Sequence, residues 1–191
     1  MKSLTNMTGK WVALVIMAGA LMSGAALAQE QETTVTQLTD NMQLQWHEWH
    51  NYRDINEGRH ATATKYRTNV FKQLGDTIAA NAAKLPEGYK LQMLVTDLDL
   101  AGDTSAKTQA GMRGVRVYDR AYSPAISFKF AVLDSTNSVV LEGAEALNNR
   151  NYLHSGGAYN FNQDKLAYDK SLIEQWFRRS LLPQVDGLSN Q

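Results

Sequence analysis

From Tyr89 to Leu100 the chain reads YKLQMLVTDLDL, and apolar side chains occupy both alternations: Leu91, Met93 and Val95 on one, Leu94, Leu98 and Leu100 on the other. Successive side chains of a strand point to opposite faces, so this pattern calls for a central strand covered on more than one side. The rest of the chain must therefore supply flanking strands and a covering layer. On the same count Asp97 and Asp99 fall in line with Leu91 and Val95, and a carboxylate ending a core-facing row needs a partner or water.

Both requirements are met in sequence. Met42, Leu44 and Trp46 alternate with Gln43, Gln45 and His47, the period of a strand with one buried face. Ile126, Phe128, Phe130 and Val132 alternate likewise, DSTNS turns the chain, and residues 139–147 return as the second arm of a hairpin. Over residues 61–85, Ala63, Val70, Leu74, Ile78, Ala82 and Leu85 recur near every fourth position until Pro86-Glu87-Gly88 stops the run. Residues 165–182 form a second helix with Tyr168, Leu172, Ile173, Trp176 and Phe177 as its stripe, Arg178 and Arg179 at its C-terminal dipole and Pro183 as its end. The order strand, helix, strand, hairpin, helix predicts an α+β two-layer sandwich, a sheet of about four strands with two long helices on one face. Residues 42–183 form that single domain, 184–191 a C-terminal tail, and 103–124 an irregular stretch with a short extended piece at 115–118.

Upstream the logic changes. Lys2 and Lys10 precede a charge-free run, residues 11–28, that closes on Ala26-Leu27-Ala28 before QEQETT. A basic start, an apolar middle and a small-x-small site predict a secretory signal peptide over residues 1–28, cleaved after Ala28. Its removal takes two lysines and no acid, leaving 163 residues with 17 basic and 19 acidic side chains. A net charge of −2 gives no reason to expect nucleic acid as a partner. Residues 29–41, polar and threonine-rich, read as a flexible lead-in. The sequence holds no cysteine, which excludes disulfides, a lipidated cysteine anchor and thiol chemistry. The expectation is a periplasmic protein with no stable membrane anchor once the leader is gone.

Several of these stretches together resemble one family. KLPEGYKLQMLVTDLDLAGD, then YSPAISFKFAVLDS with VVLEGAEALNNRNYL, then YDKSLIEQWFRRSL, with the weaker YRDI, are similar to the exported bacterial proteins catalogued as domain of unknown function 3016. The DLDLAG run and the Trp-Phe pair are the specific parts. The resemblance implies a periplasmic single-domain protein and supplies no activity. Members of that family are expected to carry an Asp-Pro turn after the strand tryptophan. This chain has His47-Glu48-Trp49-His50 there, so its two histidines read as a private feature.

Candidate chemistry centres on VTDLDLAGD. Its D-x-D-x-A-G-D spacing imitates the opening of a calcium loop, but Ala101 and Thr108 stand where ligands are required, which excludes an EF-hand. Asp97 and Asp99, with Arg113 or Arg116, are the candidate ligand-binding residues. The plainer alternative has these aspartates accepting backbone amides or pairing with Arg113, Arg116 or Arg120. His47 and His50 are weak metal candidates: they stand three apart on strand running into loop, not four apart on a helix as in HExxH. Arg59, His60, Lys65 and Arg67 at the start of the first helix could hold an anion, or form a solvated face. LHSGG lacks the glycine spacing of a nucleophile elbow, and no nucleotide-binding loop is present.

The resulting expectation is a non-enzymatic binding or accessory module of the cell envelope, with an unknown protein or small-molecule partner and no cofactor. It would bind through the open face of its sheet, around Leu94 and Leu98, or through residues 101–124. The alternative is a metal- or small-ligand-binding protein, extending to a hydrolase, that uses the Asp97 and Asp99 carboxylates.

Overall fold

The computed structural model describes residues 34–53, 55, 63–104, 116–155 and 161–189. Its strands are β1 (Thr34–Thr39), β2 (Met42–His47), β3 (Lys90–Asp99), β4 (Ala125–Leu133) and β5 (Val139–Asn148), and its first helix is α1 (Ala63–Ala82). A second helix, α2 (Ala167–Trp176), passes through a π-helical turn (Phe177–Leu181) into α3 (Leu182–Ser189). The sheet order is β1-β2-β3-β4-β5; only the β2–β3 pair is parallel, joined by the crossover that contains α1. The architecture is α+β.

Register explains the core. Trp46, Val95 and Phe128 lie abreast on neighbouring strands, as do Leu44, Met93 and Phe130, and all point to one face. Trp46 stacks on Phe71 of α1 with ring centroids 4.7 Å apart, while Phe128 meets Trp176 of α2 edge-on, also at 4.7 Å. Both helices therefore contact the same face of the sheet. Val70, Leu74 and Ile78 line the buried side of α1, and Leu172, Ile173 and Phe177 that of the second helix. Burying side chains of this size contributes about 1.5–3 kcal/mol each, which is why the amphipathic periods dominate the fold.

The expected strand count is corrected from about four to five. The added strand, β1, lies inside the stretch read as a flexible lead-in. Its core-side residue opposite Leu44 is Gln37, so no apolar alternation announces it. Gln37 is accommodated because its amide is satisfied: Nε2 donates to the Phe71 carbonyl at 3.2 Å, and Oε1 accepts from Trp46 Nε1 at 3.4 Å. It lies over Gly75 of α1, where a Cβ would collide with the Gln37 amide oxygen.

A second correction concerns β3. Val95 pairs with Phe128 and Asp97 with Ser127, so Thr96 is an extra residue outside the register, its Oγ1 donating to the Ser127 carbonyl at 3.3 Å. One inserted residue reverses the facing of everything after it. Leu91, Met93 and Val95 face the core before the bulge, and Leu98 faces it afterwards, opposite Ile126. The second apolar alternation thus reflects a change of phase at Leu98 and Leu100, whereas Leu94 precedes the bulge and stands on the open side. Asp97 and Asp99 consequently stand on the open face, not in line with Leu91 and Val95. The expected exposed patch of Leu94 and Leu98 is likewise divided: Leu98 is buried in the core, and Leu94 is half-buried on the open side.

Pro183 does not end the last helix, and the supposed tail is helical as far as Ser189. A proline inside an α-helix lacks its N–H and clashes with the carbonyl four residues back. In the π-helical turn Leu182 N–H bonds to Phe177 O, five residues back, which widens the turn just before the proline.

Candidate ligand-binding site at the strand ends

The bulge is pinned from the neighbouring strand. After β2 the chain makes a left-handed turn at Glu48 (φ 50°) and a 3-10 turn over Trp49–Asn51, then returns to β3. Tyr52 Oη donates to the Val95 carbonyl at 2.8 Å, beside the bulge, and burial raises the Tyr52 hydroxyl above its ordinary pKa. Arg53 N–H donates to Leu98 O at 3.0 Å, which places the Arg53 side chain beside the two outward aspartates. Its Nη2 lies 3.3 Å from Asp97 Oδ2 and 3.5 Å from Asp99 Oδ2. One guanidinium therefore serves both carboxylates. The Arg53 side chain is 64% exposed, so these pairs contribute at most about 1 kcal/mol each and act mainly to fix orientation.

Beyond Asp99 the chain bends at Ala101 and Gly102. Gly102 has φ +81°, and a Cβ there would press on Val117 O at 2.8 Å, so both conformation and space require glycine. The bend is held from behind by Asp169, in the first turn of α2, whose Oδ1 accepts the Ala101 N–H at 3.0 Å. Arg116 Nη1 donates to the carbonyls of Ala101 and Gly102, both at 3.1 Å. Asp169 is 4% exposed, and its Oδ2 finds no hydrogen-bond partner among the described residues. Burial raises its pKa to about 7, against the lowering effect of the Ala101 N–H and the nearby Arg116 charge. Tyr152 and Tyr168 pack with Ala101 in a small second core below the bend.

Above it a cavity of about 790 Å³ opens at the ends of β3 and β5 and the start of β4. Arg53, Asp99, Asp103, Arg120, Ser123 and Arg150 are among its lining residues. The size lies within the usual range for small-molecule pockets. Arginines cannot give up a proton at neutral pH, so a wall carrying three of them is suited to hold and orient a ligand. A shallower hollow on the open face of the sheet is lined by Gln43, Gln45, Gln92, Lys129 and Glu142 around Leu94. Leu94, Val139 and Ala144 also line it, and most of its exposed lining is apolar.

Of the residues singled out in the sequence, Asp97 and Asp99 stand together, and their ion-pair partner is Arg53, which the sequence reading left in a loop. Arg116 braces the bend through its two carbonyls. Arg113 lies outside the described residues, as do Arg59 and His60. Arg67 stacks its guanidinium 3.8 Å from the centre of the Trp49 ring. His47 Nε2 stands 3.8 Å from Glu48, and His50 stacks on Trp49 with ring centres 3.5 Å apart. Among the described residues no three histidine or acidic side chains are grouped to hold a metal ion. No helix among them is long and apolar enough to cross a membrane.

Asp169, Arg53 and Arg150 carry roles that periodicity could not assign. Arg53 lies in the YRDI stretch, where only the resemblance hinted at importance. Asp169 reads in sequence as an ordinary acid in the first turn of a helix.

Comparisons with curated proteins and with solved structures return no match. One family model does match, over residues 40–179, a span that takes in β2, the bulge, the glycine bend and α2. The chain therefore belongs to the family described as protein of unknown function (DUF3016).

Proposed function

We propose that this protein is a non-enzymatic binding module of the cell envelope, exported through a leader cleaved after Ala28, which takes a small ligand in the cavity at the strand ends. The observation that carries this reading is convergence. Charged side chains from separate segments (Arg53, Asp99, Asp103, Arg120 and Arg150) line one concavity. The backbone beneath is held by Asp169, by Arg116 and by paired hydrogen bonds between Asp103 and Val117 at 2.9 Å. A preformed site of this kind spends little binding energy on ordering itself. Asp99 belongs to the wall, whereas Asp97 orients Arg53 from outside it. The same aspartates, engaged by Arg53, are poorly placed to act as a free acid and base.

The test is a screen of a few hundred water-soluble fragments against the purified protein, read as amide chemical-shift changes. Hits that shift Gly102, Ala121, Ser123 and Asn148 support the site. Hits confined to the sheet face around Leu94 and Lys129 would move the binding function there, and silence across the library would remove it.

A further inference from the structure

The cavity wall is not electrically uniform. Arg53 is already matched by Asp97 and Asp99. Arg120 and Arg150 have no carboxylate within ion-pair distance among the described residues; the one polar contact of either is Arg120 Nη2 with His154 Nε2 at 3.4 Å. The nearest acid in sequence, Asp119, turns its carboxylate to the Ala121 N–H at 3.0 Å. Two guanidinium groups without a carboxylate partner among the described residues thus share one concavity.

Both are carried on fixed turns. Arg120 sits in a turn closed by Tyr122 N–H to Asp119 O at 2.9 Å, and that turn is tied to the glycine bend by Gly102 N–H to Tyr122 O at 2.9 Å. Arg150 follows β5, where Asn149 N–H donates to Pro124 O at 3.2 Å and Tyr152 N–H to Asn149 O at 3.1 Å. The fully buried Tyr152 then joins the two turns, its Oη donating to Asp119 O at 2.9 Å. Both guanidinium groups are exposed on braced backbone, with their N–H donors available to an anion in the concavity. Guanidinium groups suit carboxylate and phosphate, since each can offer two parallel N–H donors.

We propose that the ligand of this cavity carries an anionic oxygen group, a carboxylate or a phosphate, held between Arg120 and Arg150, with the Arg53–Asp99 pair forming the facing wall. The proposal rests on the binding reading above and names the class of ligand. Its test is titration of the purified protein with inorganic phosphate and, separately, with succinate, at ionic strength fixed with sodium chloride, followed by melting temperature and amide shifts. At least one of the two is expected to raise the melt beyond the chloride control and to shift amides near Arg120 and Arg150, and which one does so tells phosphate from carboxylate. Because both side chains are exposed, Arg120→Gln and Arg150→Gln are expected to fold normally and to weaken binding about tenfold each. Arg150→Lys, which keeps the charge and loses the paired donors, should fall between. The proposal is overturned if neither anion binds more tightly than about 10 mM, or if the double glutamine variant binds as well as the parent. Neutral or cationic fragments lodging in the cavity, with both anions silent, would overturn the anionic class and leave the binding reading standing; silence in both experiments would remove both.

Discussion

Asp169 is the residue whose chemistry is least like its sequence context. Its folded pKa of about 7 lies above the ordinary value of 3.8, so the folded chain holds the proton more tightly than the unfolded one. Its contribution to stability is therefore complete below about pH 4 and is lost as pH rises through about 7. At about 1.4 kcal/mol per pKa unit the whole effect is of order a few kcal/mol. Asp169→Asn keeps an acceptor for the Ala101 N–H and removes the titration. Urea unfolding of both proteins from pH 4 to 8.5 should show the stability of the parent, relative to the variant, declining with pH. A constant difference would mean that Asp169 does not carry that proton. Such a role was not legible in YDKSLIEQW, because burial depends on what packs over the first turn of the helix.

Elements were legible where a hydrophobic period ran unbroken. The β4–β5 hairpin, the buried stripe of α1 and that of α2 follow the alternation of Ile126 to Val132, the four-residue recurrence through Leu74 and Ile78, and the Trp176-Phe177 pair. Three features were not legible, each because local chemistry replaced the period. Gln37 satisfies its amide where an apolar residue was expected, Thr96 inserts one residue into a ladder, and a five-residue hydrogen bond lets the helix run past Pro183. Of these, the bulge governs the candidate site. Deleting Thr96 would place Asp97 directly after Val95 and give a plain alternation in which Leu98 still faces the core and Asp97 and Asp99 still face outward. With no core residue exposed and no charge buried, the deletion should cost no more than about 1–3 kcal/mol and leave the chain folded. Circular dichroism and a urea melt would check it, and a variant that failed to fold would contradict the facing described here.

At the scale of the molecule, one face of the sheet is covered by both helices, and the charged cavity lies at one end, where the last residues of β3 and β5 meet the first of β4. The reading as an envelope module adds a covalent expectation: protein recovered from the periplasm of a Gram-negative host should begin at Gln29. Intact-mass measurement decides this, and a retained Met1 in the soluble periplasmic fraction would contradict it. The sequence marked the end of β3 as the place to look and named Arg116, which braces the bend there, but it did not single out Arg53, whose pairing depends on a chain excursion from β2 that no spacing rule encodes.

Thr96 also works as a frame shift in the language of the pleat. Upstream of it odd-numbered residues speak to the core, and downstream even-numbered ones do. A saturation-mutagenesis map of β3 should therefore show tolerance to charge skipping a beat between Val95 and Leu98. A relative that lacked only Thr96 would keep every other word of this strand with its meaning intact, and the beat would run unbroken.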